Sequence, residues 1–136
     1  MKKILFLTVI CGFIGGFESV AAEKQQFICL KCQTKVQKTS RPNVSYCDAS
    51  GNHNWHSLGK VGKQVFFCRK CKLKVNMQNR PNVSYCSALG NHNWHLLGVR
   101  GKNKFSCRKC KLKVSTQNRP NVSYCTSGGN HNWHQY

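Results

Sequence analysis

A unit rich in cysteine and histidine occurs three times in this 136-residue chain, with a period of 39 residues. Each copy contains a Cys-x-x-Cys pair, a third cysteine and two histidines at fixed offsets. The positions are Cys29, Cys32, Cys47, His53, His56, Cys68, Cys71, Cys86, His92, His95, Cys107, Cys110, Cys125, His131 and His134. A fixed period of this length is typical of an array of small repeated units. It is not typical of one domain built around one active site.

Units of this size need a stabilising element besides an apolar core. A chain below roughly 40 residues usually needs disulfides, a metal or oligomerisation to fold. Three cysteines per unit cannot all pair inside that unit, so a metal explains the count better than disulfides do. Disulfides stay open as an alternative, as do another metal and a redox role for the Cys-x-x-Cys pairs.

The ligand types and their spacing predict one structural Zn²⁺ per repeat, about three per chain. A Cys-x-x-Cys turn holds two thiolates close together, and a further cysteine and one histidine complete a tetrahedral Cys3His site. Such a site contributes roughly 10–16 kcal/mol of apparent stabilisation in small units. The predicted ligands are Cys29, Cys32, Cys47 and His53, then Cys68, Cys71, Cys86 and His92, then Cys107, Cys110, Cys125 and His131.

The second histidine of each pair follows three residues later and is an alternative ligand. These residues are His56, His95 and His134. If both histidines of a pair bind, the site becomes Cys2His2 and the third cysteine is free. We predict that the first histidine is the ligand, since it follows a glycine-containing loop that can fold back.

Short β-strands are predicted throughout the repeats, and no helical periodicity occurs after the N-terminal segment. In the second copy, residues 64–67 are β-prone, residues 72–75 alternate polar and apolar, and residues 91–97 form a third strand. The fold class is therefore small, metal-stabilised β, with three tandem units of short antiparallel strands. The predicted boundaries are 1–22 for a signal peptide and 23–58, 63–97 and 102–136 for the three repeats.

Glycines bound the two joints between repeats, at residues 59–62 and 98–101. Short glycine-bounded connections between β-prone segments predict hairpins, with adjacent repeats sharing a sheet. Flexible linkers between independent units are the alternative.

The order of motifs in each repeat resembles that of zinc-ribbon-like modules found in bacterial proteins of unassigned function. The first copy carries it as Cys29-Leu30-Lys31-Cys32, then Pro42, then residues 47–55, which contain cysteine, glycine, histidine and tryptophan. The resemblance covers nearly all of the chain after residue 22 and implies a small β fold around zinc. Many ribbons have four cysteines, whereas each unit here has three.

The N-terminal segment has the layout of a secretory signal peptide. Lys2 and Lys3 precede an apolar run over residues 4–17, and small residues follow at positions 20–22. The run is too short and too interrupted by glycine for a membrane span. We expect a secreted or periplasmic protein; an uncleaved amphipathic anchor is the alternative.

The charge balance is strongly basic, with 22 Lys and Arg against 3 Asp and Glu and a net charge of +19. This excess predicts a polyanionic partner such as lipopolysaccharide, teichoic acid or nucleic acid, and peripheral contact with a membrane surface. A solvated surface without a dedicated partner is the alternative. The scarcity of carboxylates argues against an enzyme, since general acid–base pairs and triads use them. A thiol-redox enzyme would need a βαβ context that is lacking here.

Specific basic residues recur near the metal ligands and are the candidate polyanion contacts. Alternation after the Cys-x-x-Cys pair would direct three lysines to one side in the second and third repeats, whereas the first repeat has Gln33 at one of these positions. An arginine precedes each Pro-Asn pair. The candidates are Arg41, Lys70, Lys72, Lys74, Arg80, Lys109, Lys111, Lys113 and Arg119. The arginines could grip phosphates or pair with carbonyls at the turn.

One tryptophan follows the first histidine of each pair by two residues: Trp55, Trp94 and Trp133. Packing over the metal site is the expected role, and a stacking platform for bases or sugars is the alternative. Together these features predict a secreted, zinc-stabilised module that binds a polyanion. A zinc-sequestering metal buffer is the alternative function.

Overall fold

The computed structural model describes residues 21–136. The predicted signal peptide, residues 1–22, lies outside the described residues except for its last two positions. The described chain is all β, which confirms the prediction of a small antiparallel β fold. Its strands are β1 (Gln25–Cys29), β2 (Lys35–Lys38), β3 (Trp55–Cys68), β4 (Lys74–Met77), β5 (Trp94–Cys107), β6 (Lys113–Thr116) and β7 (Trp133–Gln135). Between residues 21 and 136 there is no helix that could span a membrane.

All strand pairs are antiparallel, and the sheet order is β2-β1-β3-β5-β6, with β4 paired to β3 and β7 paired to β5. Each Cys-x-x-Cys pair lies at the turn of a hairpin, formed by β1 and β2, by β3 and β4, or by β5 and β6. The strand that begins at each tryptophan then pairs with the first strand of the same hairpin. Every repeat therefore contains the same three-stranded arrangement around its cysteines.

Each joint between repeats is part of a continuous β-strand and is not a hairpin. β3 and β5 each run for 14 residues from one repeat into the next, through residues 59–62 and 98–101. The prediction of hairpins at these joints is therefore wrong, and so is the alternative of flexible linkers. The expectation that adjacent repeats share a sheet is confirmed. The register shifts between Val61 and Gln64, and a Cβ on Gly62 would lie 2.4 Å from the backbone N of Gln78. Glycine is required here by a close approach of two backbones, not by a chain reversal.

The apolar core is shared between neighbouring repeats. Ile28 and Leu58 come from the first repeat but pack in the cluster that contains Met77 of the second. Val65 and Phe67 of the second repeat pack in the cluster of the third. A fully buried side chain of this kind contributes about 1.5–3 kcal/mol. Each repeat thus stabilises its neighbour, as in other repeat arrays.

The lysines after the Cys-x-x-Cys pairs do not alternate along a strand as predicted. β4 begins only at Lys74, while Lys70 and Lys72 lie in the preceding turn, and Lys72 has a φ of 63°. The third repeat has the same turn, with Lys111 at a φ of 61° and β6 beginning at Lys113. The predicted alternation along a strand, which also included Lys109, is wrong because the turn's own hydrogen bonds override a period of two.

Candidate metal centres

The Cys-x-x-Cys turn is closed by backbone hydrogen bonds around its first cysteine. In the first repeat the N–H of Gln33 donates to the carbonyl of Cys29 at 2.9 Å, and the N–H of Cys29 donates to Thr34 at 2.9 Å. Gln33 adopts a φ of 60°, a left-handed conformation that is unfavourable for a non-glycine residue. The same bonds recur in the other repeats, so the turn is a repeated element that holds both sulfurs at one end of the hairpin.

A second tight loop brings the third cysteine and the first histidine back toward this turn. The N–H of Cys47 donates to the carbonyl of Gly51 at 2.8 Å, and the N–H of His53 donates to Val44. Gly51 has a φ of 63°, which glycine adopts without steric cost. The predicted strand over 91–97 begins only at Trp94, so the first histidine belongs to this loop and not to a strand.

The structure brings the four predicted ligands of each repeat together, with all ligand atoms of a cluster within 4.8 Å of one another. In the first repeat, Cys29 Sγ lies 3.8 Å from Cys47 Sγ, and Cys32 Sγ lies 3.5 Å from His53 Nδ1. The corresponding distances are 3.9 and 3.4 Å in the second repeat and 3.9 and 3.5 Å in the third. The clusters are Cys29, Cys32, Cys47 and His53; Cys68, Cys71, Cys86 and His92; and Cys107, Cys110, Cys125 and His131.

These spacings are those of a tetrahedral metal site. Metal–sulfur bonds of about 2.3 Å and metal–nitrogen bonds of about 2.0–2.1 Å give S···S edges of about 3.8 Å and S···N edges of about 3.5 Å. The measured pairs agree with both values. The nine described cysteines are free, and their Sγ atoms are much farther apart than the disulfide bond length of about 2.05 Å. The residues present therefore fit a bound metal ion, and the disulfide alternative does not match the described structure.

The second histidine of each pair lies outside the cluster. His56 is part of β3, where it pairs with Ile28, and its ring contacts Tyr85 of the next repeat with centroids 5.0 Å apart. His95 contacts Tyr124 in the same way at 5.1 Å. His134 is exposed, with its Nδ1 3.4 Å from a guanidinium nitrogen of Arg108. The alternative Cys2His2 set is thus not assembled.

The tryptophans cover the imidazole ligands. The rings of His53 and Trp55 stack at 4.5 Å, and Trp55 Nε1 donates to the carbonyl of Asn43 at 2.7 Å. The three tryptophans are only 5–8% exposed. The packing role is confirmed, and a stacking platform for bases is excluded at these buried rings. In the second repeat His92 Nε2 is buried without a hydrogen-bond partner, so stacking on Trp94 and the contact of Nδ1 with Cys71 orient the ring.

The cysteines in a cluster differ in how readily they ionise. Burial alone would raise the pKa of Cys29, but hydrogen bonds from the backbone of Cys32 and from His53 lower that pKa to about 5. Similar bonds lower the pKa of Cys107 to about 6. Burial raises the pKa of Cys71 to about 12, and the neighbouring Cys68 adds to this. In the second repeat, where burial is outweighed by hydrogen bonds that lower the pKa of Cys68, one thiolate thus forms readily, whereas Cys71 requires a cation that offsets the repulsion. In the first repeat the hydrogen bond with Thr34 lowers the pKa of Cys32, and burial raises the pKa of Cys47 instead.

Many of the predicted polyanion contacts bond to the protein's own carbonyls. Arg41 donates to the carbonyl of Trp55 at 3.3 Å, and Arg119 does the same to Trp133 at 3.4 Å. These two arginines thus pair with carbonyls, but the carbonyls belong to the first residues of β3 and β7 and not to the turn. Arg80 is exposed. Lysines of the Cys-x-x-Cys turns also donate to backbone carbonyls. Lys70 Nζ donates to Leu89 at 3.2 Å and Lys109 Nζ donates to Gly128 at 2.9 Å, which joins each turn to the third-cysteine loop, while Lys72 Nζ donates within its own turn to Arg69 at 3.1 Å.

Two sets of surface residues were missed by the sequence analysis. Tyr85 and Tyr124 pack against the preceding repeat, and their fixed position directly before the third cysteine was an available signal. Arg100, Lys102 and Lys104 line a groove next to Lys74. Their alternation along the sequence was the available signal, but a hairpin prediction for residues 98–101 hides a strand there.

Three Cys3His clusters that could each hold one metal ion are therefore the candidate functional centres of the described chain. Comparisons of the chain with protein-family models, curated proteins and solved structures give no match.

Proposed function

We propose that each cluster binds one zinc ion and that the three ions hold together a module that binds polyanions. The observation that carries the zinc assignment is the Cys3His geometry, repeated three times with S···S distances of 3.8–3.9 Å and S···N distances of 3.4–3.5 Å. Three thiolates and one imidazole form a soft, tetrahedral, four-coordinate set that suits zinc in a structural role.

A structural role is supported by where the sulfurs lie. Cys29, Cys68 and Cys107 are fully buried and belong to the apolar clusters of their repeats. All four coordination positions would be filled by protein, which leaves none for a substrate. We propose on this basis, and on the scarcity of carboxylates, that the protein is not an enzyme.

Metal analysis and circular dichroism of the reduced chain test this assignment together. We expect three zinc ions per chain, and loss of the β signal when a strong chelator removes them under reducing conditions. Restoring zinc should restore the signal. A metal-free, reduced chain that keeps its β signal would overturn the structural role.

The polyanion partner is supported by charge. The net charge is +19, and the ion pair found within residues 21–136 joins Glu23 to Lys60. We propose secretion to the cell envelope, where lipopolysaccharide or teichoic acid supplies such a partner, and peripheral contact with the membrane surface. Retention on an anionic matrix that falls steeply with salt would support this, because counterion release gives that dependence. Salt-independent retention would contradict it.

A zinc buffer is the second candidate, and one observation favours it. Cys32, Cys71 and Cys110 are partly exposed, which gives a chelator or another protein access to one thiolate of each site. A buffer would release zinc to a moderate chelator and remain folded, whereas a structural site would unfold as it lost the metal.

A further inference from the structure

A groove runs across both junctions between repeats. At the first junction it is lined by Lys35, Gln37, Lys74 and Asn76 and has a volume of about 340 Å³. At the second junction it is lined by Lys74, Asn76, Arg100, Lys102, Lys104 and Ser115 and has a volume of about 440 Å³. Lys74 and Asn76 line both parts. The two parts are therefore one continuous surface, which we call the junction groove.

The positive charge of the junction groove is not compensated by the protein. No aspartate or glutamate lines either part of it. The ammonium of Lys74 donates to the carbonyl of Lys113 at 2.6 Å, and partial burial with the nearby charge of Lys35 lowers the pKa of Lys74. These cations repel one another, and an anion in the groove would relieve that repulsion.

The groove offers charge and hydrogen-bond donors but no aromatic surface. Its cations are four lysines and one arginine, joined by amide and hydroxyl groups of Gln37, Asn76 and Ser115. Proteins that bind single-stranded nucleic acid add aromatic side chains on which the bases stack. Here the tryptophans are buried, and Tyr85 lines a different cavity, between the first Cys-x-x-Cys turn and the third-cysteine loop of the second repeat.

We infer that the junction groove binds a linear phosphate-bearing polymer that lacks aromatic bases. This inference rests on the proposed binding of polyanions and specifies its place and its partner. The groove crosses two junctions, so it fits an extended chain and not a single small anion. Lysine ammonium groups bind phosphates as point charges and require no fixed geometry of the polymer.

Inorganic polyphosphate is the probe, and two charge-matched double variants separate the groove from the rest of the surface. Arg100→Gln with Lys104→Gln removes two charges from the groove; glutamine already occupies the position equivalent to Lys104 in the first repeat, at Gln26. Lys72→Gln with Lys111→Gln removes two charges outside it; glutamine occupies their equivalent position at Gln33. Zinc content and circular dichroism of each variant report on folding.

The groove variant should weaken polyphosphate binding by roughly 25-fold at about 0.1 M salt. It should also reduce the slope of log affinity against log salt by about 1.4, since each lost contact on a single strand removes about 0.7. The control variant should change neither value to that extent because Lys72 and Lys111, although they are candidate contacts by sequence, do not line the groove. If the double groove variant retains less zinc than the wild type, Lys102→Gln alone replaces it. Its change in slope should be about half as large.

The outcomes distinguish the inference from the function on which it rests. If the wild type binds none of the three polymers polyphosphate, heparin and oligothymidylate, the proposed polyanion function fails. If it binds them but the control variant weakens binding as much as the groove variant does, the groove is not the binding surface and the inference is overturned. If oligothymidylate of equal charge binds more tightly than polyphosphate and depends on the groove, the partner is a nucleic acid and the inference is overturned.

Discussion

His56 of the first repeat contacts Tyr85 of the second edge-on, with ring centroids 5.0 Å apart. The next junction repeats this contact between His95 and Tyr124, and the guanidinium of Arg69 lies 4.7 Å from the ring of Tyr124. In the first two repeats the two histidines of a pair therefore have different positions: the first belongs to a candidate metal cluster, and the second belongs to the junction with the following repeat.

This division predicts that only the first histidine affects metal stoichiometry. His92→Ala should reduce the metal content from three ions per chain to two, because Nδ1 of His92 faces Cys71 at 3.4 Å. His95→Ala, three residues away, is the matched control and should retain three. Native mass spectrometry of the reduced protein measures both. Loss of one ion from His95→Ala would contradict the assignment.

The tyrosine contact predicts a stability difference between two equivalent residues. Tyr85→Ala should lower the free energy of unfolding by about 1 kcal/mol, since aromatic pairs contribute about 0.5–1.5 kcal/mol. Tyr46 holds the same position in the first repeat but is 92% exposed, against 64% for Tyr85. Tyr46→Ala should change the free energy by no more than about 0.5 kcal/mol. Chemical denaturation of the zinc-loaded protein compares them, and equal effects would show that the junction contact does not stabilise the array.

Stability should fall in acid partly through the junction histidines. Burial lowers the pKa of both His56 and His95 in the folded protein. The unfolded chain, with an ordinary histidine pKa of about 6.5, binds more protons, so stability decreases as the pH falls below that value.

Acid also protonates the metal ligands, so the test is a difference between variants. Replacing both His56 and His95 with glutamine should make the decrease in unfolding free energy from about pH 7.5 to about pH 5.5 shallower than in the wild type. His134→Gln, at an exposed histidine, is the control and should follow the wild-type curve. A double variant with an unchanged slope would rule out this contribution.

The glycine at each joint should be intolerant of any side chain. In Gly62→Ala the new Cβ would lie 2.4 Å from the backbone N of Gln78, so two paired strands must separate. The expected cost is about 1–3 kcal/mol, as for overpacked sites. Lys63→Ala changes the adjacent exposed residue and should cost no more than about 0.5 kcal/mol. Thermal unfolding of the zinc-loaded variants measures both; a stable Gly62→Ala protein would contradict the close approach.

The β fold and the grouping of the ligands were accessible from the sequence because their signals are local or strictly periodic. The Cys-x-x-Cys spacing predicts a turn, and the period of 39 residues indicates that the same turn forms three times. The position of Trp55 two residues after His53 likewise indicated the stacking that the structure contains. In each case the residues that form the contact lie within one repeat.

One error concerns a joint between repeats, and the other concerns a turn within a repeat. A glycine-bounded joint predicts a chain reversal, but Gly62 permits its strand to pass close to Gln78, directly after β4. Alternation predicts a strand through the lysines at positions 70 and 72, but backbone hydrogen bonds around Cys68 hold them in a turn. A pattern of residue types shows neither the backbone that passes close to a joint nor the hydrogen bonds that close a turn.

The amino-acid sequence alone therefore determined a repeated β unit with three thiols and an imidazole placed to share one metal ion. Ligand spacing also favoured His53 over His56, and the first cluster confirms that choice. Tertiary structure alone decided that neighbouring repeats share strands and cores, and that Arg100 and Lys104 border the same groove as Lys74. The physical reason is that ligand spacing acts along the chain, whereas strand pairing between residues tens of positions apart sets which side chains meet across a junction.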